Sequence, residues 1–213
     1  MEERNFSNLM PPPRKIPLSL KLFLLFGGQS IVAWIFLPFI TLFVTPFFGK
    51  TSKTTMKDAP LFAYVAFSVF PIVFLIMIIG GIIKGLKAIY LFENGMIAKA
   101  KLVNTETVIR RSGRSSYTAY IMTFEYEVAG QKLQTSVEVR NPRLLKDEAN
   151  EPILYDQSNP EKAMLVDSLS TSVIIDDMGS FRQKYPVMGY LCALLAIGSA
   201  CIVTYIFIGN FIK

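Results

Sequence analysis

Histidine is absent from all 213 residues. Its absence removes Ser-His and Cys-His nucleophilic pairs and every zinc site that needs an imidazole. Cysteine is scarce: Cys192 and Cys201 both fall in the last apolar run. At about 100° per residue their spacing sets them on opposite faces of a helix, which excludes a disulfide between them. No Walker-type phosphate loop is present. Charge is missing from three long stretches, Leu22 to Gly49, Ala59 to Ile83 and Tyr185 to Ile212. At about 25 to 28 residues each, they exceed the roughly 20 that a helix needs to cross the hydrocarbon core. An ionisable side chain at bilayer depth usually marks an ion path or a proton relay, so runs without one count against a pump or coupled transporter.

What is present forms a mosaic. Hydrophobic residues make up 52% of the chain, yet 18% are charged, so the apolar weight is concentrated in segments. Three spans leave room for one small soluble domain of about 90 residues between the second and third. The expected fold is therefore three transmembrane α-helices plus a small all-β domain, a five-stranded antiparallel sheet or barrel, inserted between helices 2 and 3. The segments read as a flexible Pro-rich tail over 1–20, helix 1 over 21–47 and helix 2 with an extension over 59–92. The β-domain follows over 93–170, then a linker over 171–184 and helix 3 over 185–212. The first run is too long for a signal-peptide core, so it is expected to be retained.

The net charge of +6 fits Lys and Arg flanking membrane spans better than a nucleic-acid surface. About ten of them (Arg4, Arg14, Lys15, Lys21, Lys84, Lys87, Lys99, Lys101, Arg182, Lys184) flank the side shared by the amino terminus and the middle domain, against about four (Lys50, Lys53, Lys57, Lys213) on the other. That asymmetry places the amino terminus and the β-domain in the cytoplasm. Within the spans, Pro38 and Pro71 are expected to kink the helices, Gly80-Gly81 to loosen the end of the second, and Gly189 with Ala193 to form one small-xxx-small step.

Beyond the second span the helical spacing runs on to Phe92, ends at Asn94-Gly95, and gives way to period two. Ala98, Ala100 and Leu102 alternate with lysines; Tyr120, Met122, Phe124, Tyr126 and Val128 alternate with polar residues. Ala129-Gly130-Gln131 reads as a tight turn returning through Leu133 to Arg140. Ile153 to Tyr155 and Ala163 to Val166 give two more strands around Asp156 to Pro160.

The runs Glu93 to Val103, Tyr126 to Gln131 and Pro152 to Ala163 resemble the DUF3592 family, over roughly residues 93 to 168. In that family a strand of small residues, a glycine-turn hairpin and a tyrosine strand followed by a Pro-containing loop recur in membrane-anchored bacterial proteins. The chain departs from the pattern at Asn150-Glu151, where Gly-Asp is usual, and at Gln157-Ser158, where a proline is common. The resemblance implies a fold and a bacterial inner-membrane setting, and transfers no catalytic residue.

A search for chemistry yields little. Of the carboxylate pairs Glu125/Glu127, Asp147-Glu148 and Asp176-Asp177, the first reads as a solvated strand face and the last as a solvated turn. No catalytic residue, cofactor or metal ligand is assigned. The one soluble cluster with a binding reading is Arg110, Arg111 and Arg114, whose guanidinium groups in a flexible hairpin tip would take phosphate of anionic lipid headgroups. Two function classes follow. The first is a non-enzymatic anchor or accessory subunit whose β-domain contacts a partner protein, membrane-bound or cytoplasmic. The second is a small transporter or channel subunit, a homo-oligomer with Gln29, Thr41 and Thr45 along its path.

Overall fold

A computed structural model describes residues 9–28, 30–48, 61–112, 115–145, 150–168, 173–176 and 179–208, and every structural statement below concerns those. Chain contacts divide it into two units, residues 1–17 with 88–185, and residues 18–87 with 186–213.

The second unit is helical: α1 (Leu18–Phe26), α2 (Ser30–Phe48), α3 (Leu61–Asn94), which continues into the other unit, and α4 (Pro186–Phe207). Two helical segments, Ile72–Asn94 and Pro186–Ile206, are long and apolar enough to cross a membrane. Their outward residues explain why: Ile72, Leu75, Ile76 and Ile79 on α3 and Leu194, Ile197 and Tyr205 on α4 are exposed apolar side chains that water would not tolerate as a patch. The first apolar run departs from the single expected span. It is two helices bent by 62° about Gly27-Gly28, where Gly28 adopts a φ of 62° and Ser30 Oγ donates to Gly27 O at 2.8 Å. The bent pair counts as a third span only when its halves are taken together.

Small residues set the helix contacts. A Cβ added at Gly81 would press on Ser30 Cβ at 2.6 Å, while Gly85 and Gly189 abut the backbone carbonyls of Leu24 and Ser19. Gly81 and Gly85 thus form a second small-xxx-small step beside Gly189 and Ala193. Gly80-Gly81 does not loosen α3, which runs unbroken through both. At 34 residues and 1.5 Å rise α3 is about 50 Å long, more than the roughly 30 Å of hydrocarbon that a crossing helix has to cover.

The first unit is built on strands β1 (Met96–Ser112), β2 (Ser115–Val128), β3 (Gln131–Val139), β4 (Glu151–Asp156) and β5 (Asn159–Leu165). They form one antiparallel sheet in the order β3-β2-β1-β4-β5. The sheet curls until it nearly closes: Tyr126 of β2 donates its hydroxyl to Pro160 O of β5 at 2.6 Å. Inside the curl Ala100, Met122, Phe124, Tyr126, Leu145, Ile153 and Leu165 form the buried core. Ala129 and Gly130, with φ of 50° and 81°, make the two-residue turn between β2 and β3, whose positive φ values match the twist of the flanking strands. At the β4–β5 turn Asp156 Oδ1 accepts from the Ser158 amide and hydroxyl at 2.9 and 2.7 Å.

Two segments differ from expectation. Part of the stretch read as a linker is a two-stranded hairpin, β6 (Val173–Ile175) and β7 (Phe181–Gln183), turned by Asp176, which accepts from Ser180 N and pairs with Arg182 Nε at 2.8 Å. The described part of the Pro-rich tail is not free. Met10 N donates to Gly179 O, and Arg14 N donates to Glu93 O at 2.7 Å. The buried guanidinium of Arg14 donates to Met10 O, Phe92 O and Gly95 O, and lies 5.8 Å over the Phe181 ring, itself edge-on to Phe92. Carbonyls that α3 leaves open at its C-terminal end thereby gain a cationic donor.

Candidate functional site

The β1–β2 ribbon is the element that carries the sequence-predicted arginines. β1 and β2 outrun their neighbours: β3 reaches β2 only as far as the pair Tyr120–Val139, and β4 reaches β1 only from Met96 to Ala100. Beyond those limits the two strands continue alone to Ser112 and Ser115, a length that β-branched Thr105, Thr107, Val108, Ile109 and Thr118 favour. The ribbon lies open on both faces: Val103, Asn104, Glu106, Thr107, Ile109, Arg110 and Arg111 are exposed, with Ile109 at 72% of its full surface.

A bulge between Leu102 and Asn104 changes which residues face the core. Before it Ala100 and Leu102 face inward; after it Thr105, opposite Met122, and Thr107, opposite Tyr120, share the core face, with Ile109 and Arg111 further along. Glu106, Val108 and Arg110 share the outer face.

Register thus separates the arginine cluster. Arg110 is on the outer face and Arg111 on the other, so the two do not form a fork for one phosphate. Arg110 is also engaged already: Nε and Nη2 donate to Glu138 Oε1 and Oε2 at 3.2 and 2.8 Å. That pair raises the guanidinium pKa and lowers the Glu138 carboxyl, chiefly through the hydrogen bond between them. The bridge runs diagonally across the sheet over Ala119, which is fully buried although it is on the outer face. Arg140 stacks 4.4 Å from the Tyr117 ring beside it. Arg114 lies outside the described residues.

Those of the remaining candidates that lie among the described residues have structural partners. Glu125 pairs with Lys132 at 3.2 Å, and Thr123 Oγ1 is 2.9 Å from Ser136 Oγ, so the outer face is a polar ladder joining β2 to β3. Asp176 organises the β6–β7 turn. Asp147, Glu148 and Asp177 lie outside the described residues, as do Gln29 and the Thr45 side chain. Thr41 returns its hydroxyl to Leu37 O of its own helix at 2.9 Å. Among the described residues no group of three or more His, Cys, Asp or Glu side chains is placed to hold a metal ion.

The residues that sequence reasoning missed are Glu138 and Arg14. Glu138 alternates correctly for a solvent face, but its partner is 28 positions away and only the register reveals it. Arg14 reads as an ordinary basic flank of a span. No protein family, curated protein or solved structure matches the chain.

Proposed function

We propose that this chain is a multi-pass membrane anchor or accessory subunit, without catalysis of its own, whose β-domain contacts a protein partner through the β1–β2 ribbon. The observation that carries the reading is the ribbon itself. A pair of strands that outruns its sheet and exposes Val103 and Ile109 with charged neighbours contributes little to the core that folds the domain, and presents surface to another molecule. The two long apolar helices associate the chain with a membrane. The excess of Lys and Arg beside the β-domain and the DUF3592 likeness favour a bacterial plasma membrane, with the amino terminus and β-domain cytoplasmic.

Affinity purification of the full chain from its membrane in mild detergent tests this. A variant in which residues 109–118 are replaced by Asn-Gly closes the hairpin on the pair Val108–Ala119 and keeps Tyr120 and the strands that build the core. The wild type is expected to bring down a stoichiometric partner that the shortened chain loses. Retention of the same partner by the shortened chain would refute the assignment of the ribbon.

A further inference from the structure

Among the described residues no strand lies beside β1 on its outer edge beyond Ala100. In an antiparallel pair alternate residues direct their N–H and C=O groups away from the partner, so Asn104 to Ser112 presents a row of such groups to the surroundings. A free edge of this kind is a template for another strand.

The edge is complementary to itself. Laid antiparallel against a second copy about Val108, Glu106 faces Arg110 of the copy, Thr107 faces Ile109 and Asn104 faces Ser112, and the two-fold axis repeats each pair. Glu106 and Arg110 share one face of the ribbon, so the opposed charges meet side by side. Centring the pair on Glu106 or on Arg110 instead would set like charges against each other, which disfavours those registers. Val108 is also the midpoint of the available edge, bounded by the bulge after Leu102 and the end of β1 at Ser112. Making the contact requires Arg110 to exchange Glu138, an exposed pair that draws its guanidinium over β2 and away from the free edge, for Glu106 of the copy, while Glu106 receives Asn104 Nδ2 on Oε1 and keeps Oε2.

We infer that two copies of the chain pair through the β1 edge, antiparallel about Val108, and join their sheets into one. This rests on reading the ribbon as a contact surface, and it identifies the partner at that surface as a second copy.

Disulfide trapping in the full-length chain tests the pairing, with Cys192 and Cys201 changed to Ala in the background. Residues facing themselves across a two-fold antiparallel pair have Cα atoms about 4.5 or 5.5 Å apart, within disulfide range. Val108→Cys is therefore expected to form a covalent dimer on mild oxidation, whereas Gln134→Cys on β3 is not. Glu106→Lys in the Val108→Cys background, an exposed change that leaves the core alone, is expected to lower the dimer yield roughly tenfold by replacing two attractions with two repulsions. Cross-linking at position 108 no greater than at 134, or a yield indifferent to Glu106→Lys, would overturn the inference. If Val108→Cys fails to cross-link while the ribbon still captures a different protein, the self-pairing is wrong and the contact surface stands; if neither occurs, both fall.

Discussion

Replacing Arg14 by Ala should detach the amino-terminal segment from the β-domain unit. Arg14 supplies charge-assisted hydrogen bonds to Met10 O and, at 2.7 Å, Gly95 O, a longer one to Phe92 O at 3.5 Å, and a ring contact with Phe181. Hydrogen bonds to charged groups each contribute about 1.5–3 kcal/mol, and a stacked cation about 0.5–2 kcal/mol. Against this stands the cost of removing the guanidinium from water, the same burial that lowers its pKa. The balance is a loss of about 3 kcal/mol, or about a hundredfold in the local opening equilibrium. Hydrogen exchange on the full chain in nanodiscs reads it directly. The Met10 amide, bound to Gly179 O, and the residue 14 amide, bound to Glu93 O, should both exchange about a hundredfold faster. Arg14→Lys should recover less than half the effect, because an ammonium cannot span Met10 O and Gly95 O as a planar fork does. Protection at both amides unchanged in Arg14→Ala would show that the segment is held by its main chain alone, and the reasoning would be wrong.

Three other outcomes follow from the β-domain. Tyr126→Phe removes the hydroxyl that closes the curl on Pro160 O and should cost about 1 kcal/mol in denaturant unfolding of the full chain, with the burial of the ring unchanged. Ala129→Asn places a residue that tolerates positive φ where an alanine sits at 50°, and should stabilise the domain by about 0.5–1 kcal/mol in the same assay; a loss would contradict the turn assignment. Asp156 has its carboxyl pKa lowered, first by the Ser158 hydroxyl and then by the Ser158 amide. A depressed folded-state pKa means that its contribution is complete above the ordinary carboxylate range and is lost as pH falls through the folded value. Carboxyl-resolved NMR titration should therefore find the Asp156 pKa below the ordinary Asp value, and Ser158→Ala should move it upward; no movement would remove the hydroxyl as the cause.

The parts of this fold that were legible from sequence are those fixed by local periodicity. Apolar runs located the segments of α3 and α4 that are long and apolar enough to cross a membrane, and alternation located β2 through β5, because burying one strand face imposes period two on the residues that supply it. The bulge after Leu102 marks where that logic stops. One inserted residue exchanges the faces, so the pattern Ala98, Ala100, Leu102 cannot be extended to assign Arg110 or Arg111. The break at Gly27-Gly28 was hidden because apolar residues continue on both sides, and the three-residue strands β6 and β7 are too short for any period to register.

What the local pattern omits is the pairing of distant polar groups, and here that pairing decides what the arginines do. Arg14 and Arg110 look alike in sequence, each a basic residue in a polar segment. Arg14 is buried by carbonyls at the end of a helix some 80 positions away, and Arg110 is fixed on the sheet surface by Glu138. The first contact adds to the stability of its unit, since it satisfies carbonyls a helix end leaves open. The second is an exposed ion pair, worth little to stability, and its consequence is orientation. It draws the guanidinium across β2 on the outer face of the sheet, so pairing of the β1 edge with a copy about Val108 would exchange Glu138 for the copy's Glu106. An exposed ion pair that contributes little to folding can be exchanged at little cost, and among the alternative pairings those centred on Glu106 or Arg110 are disfavoured by the like charges they set together.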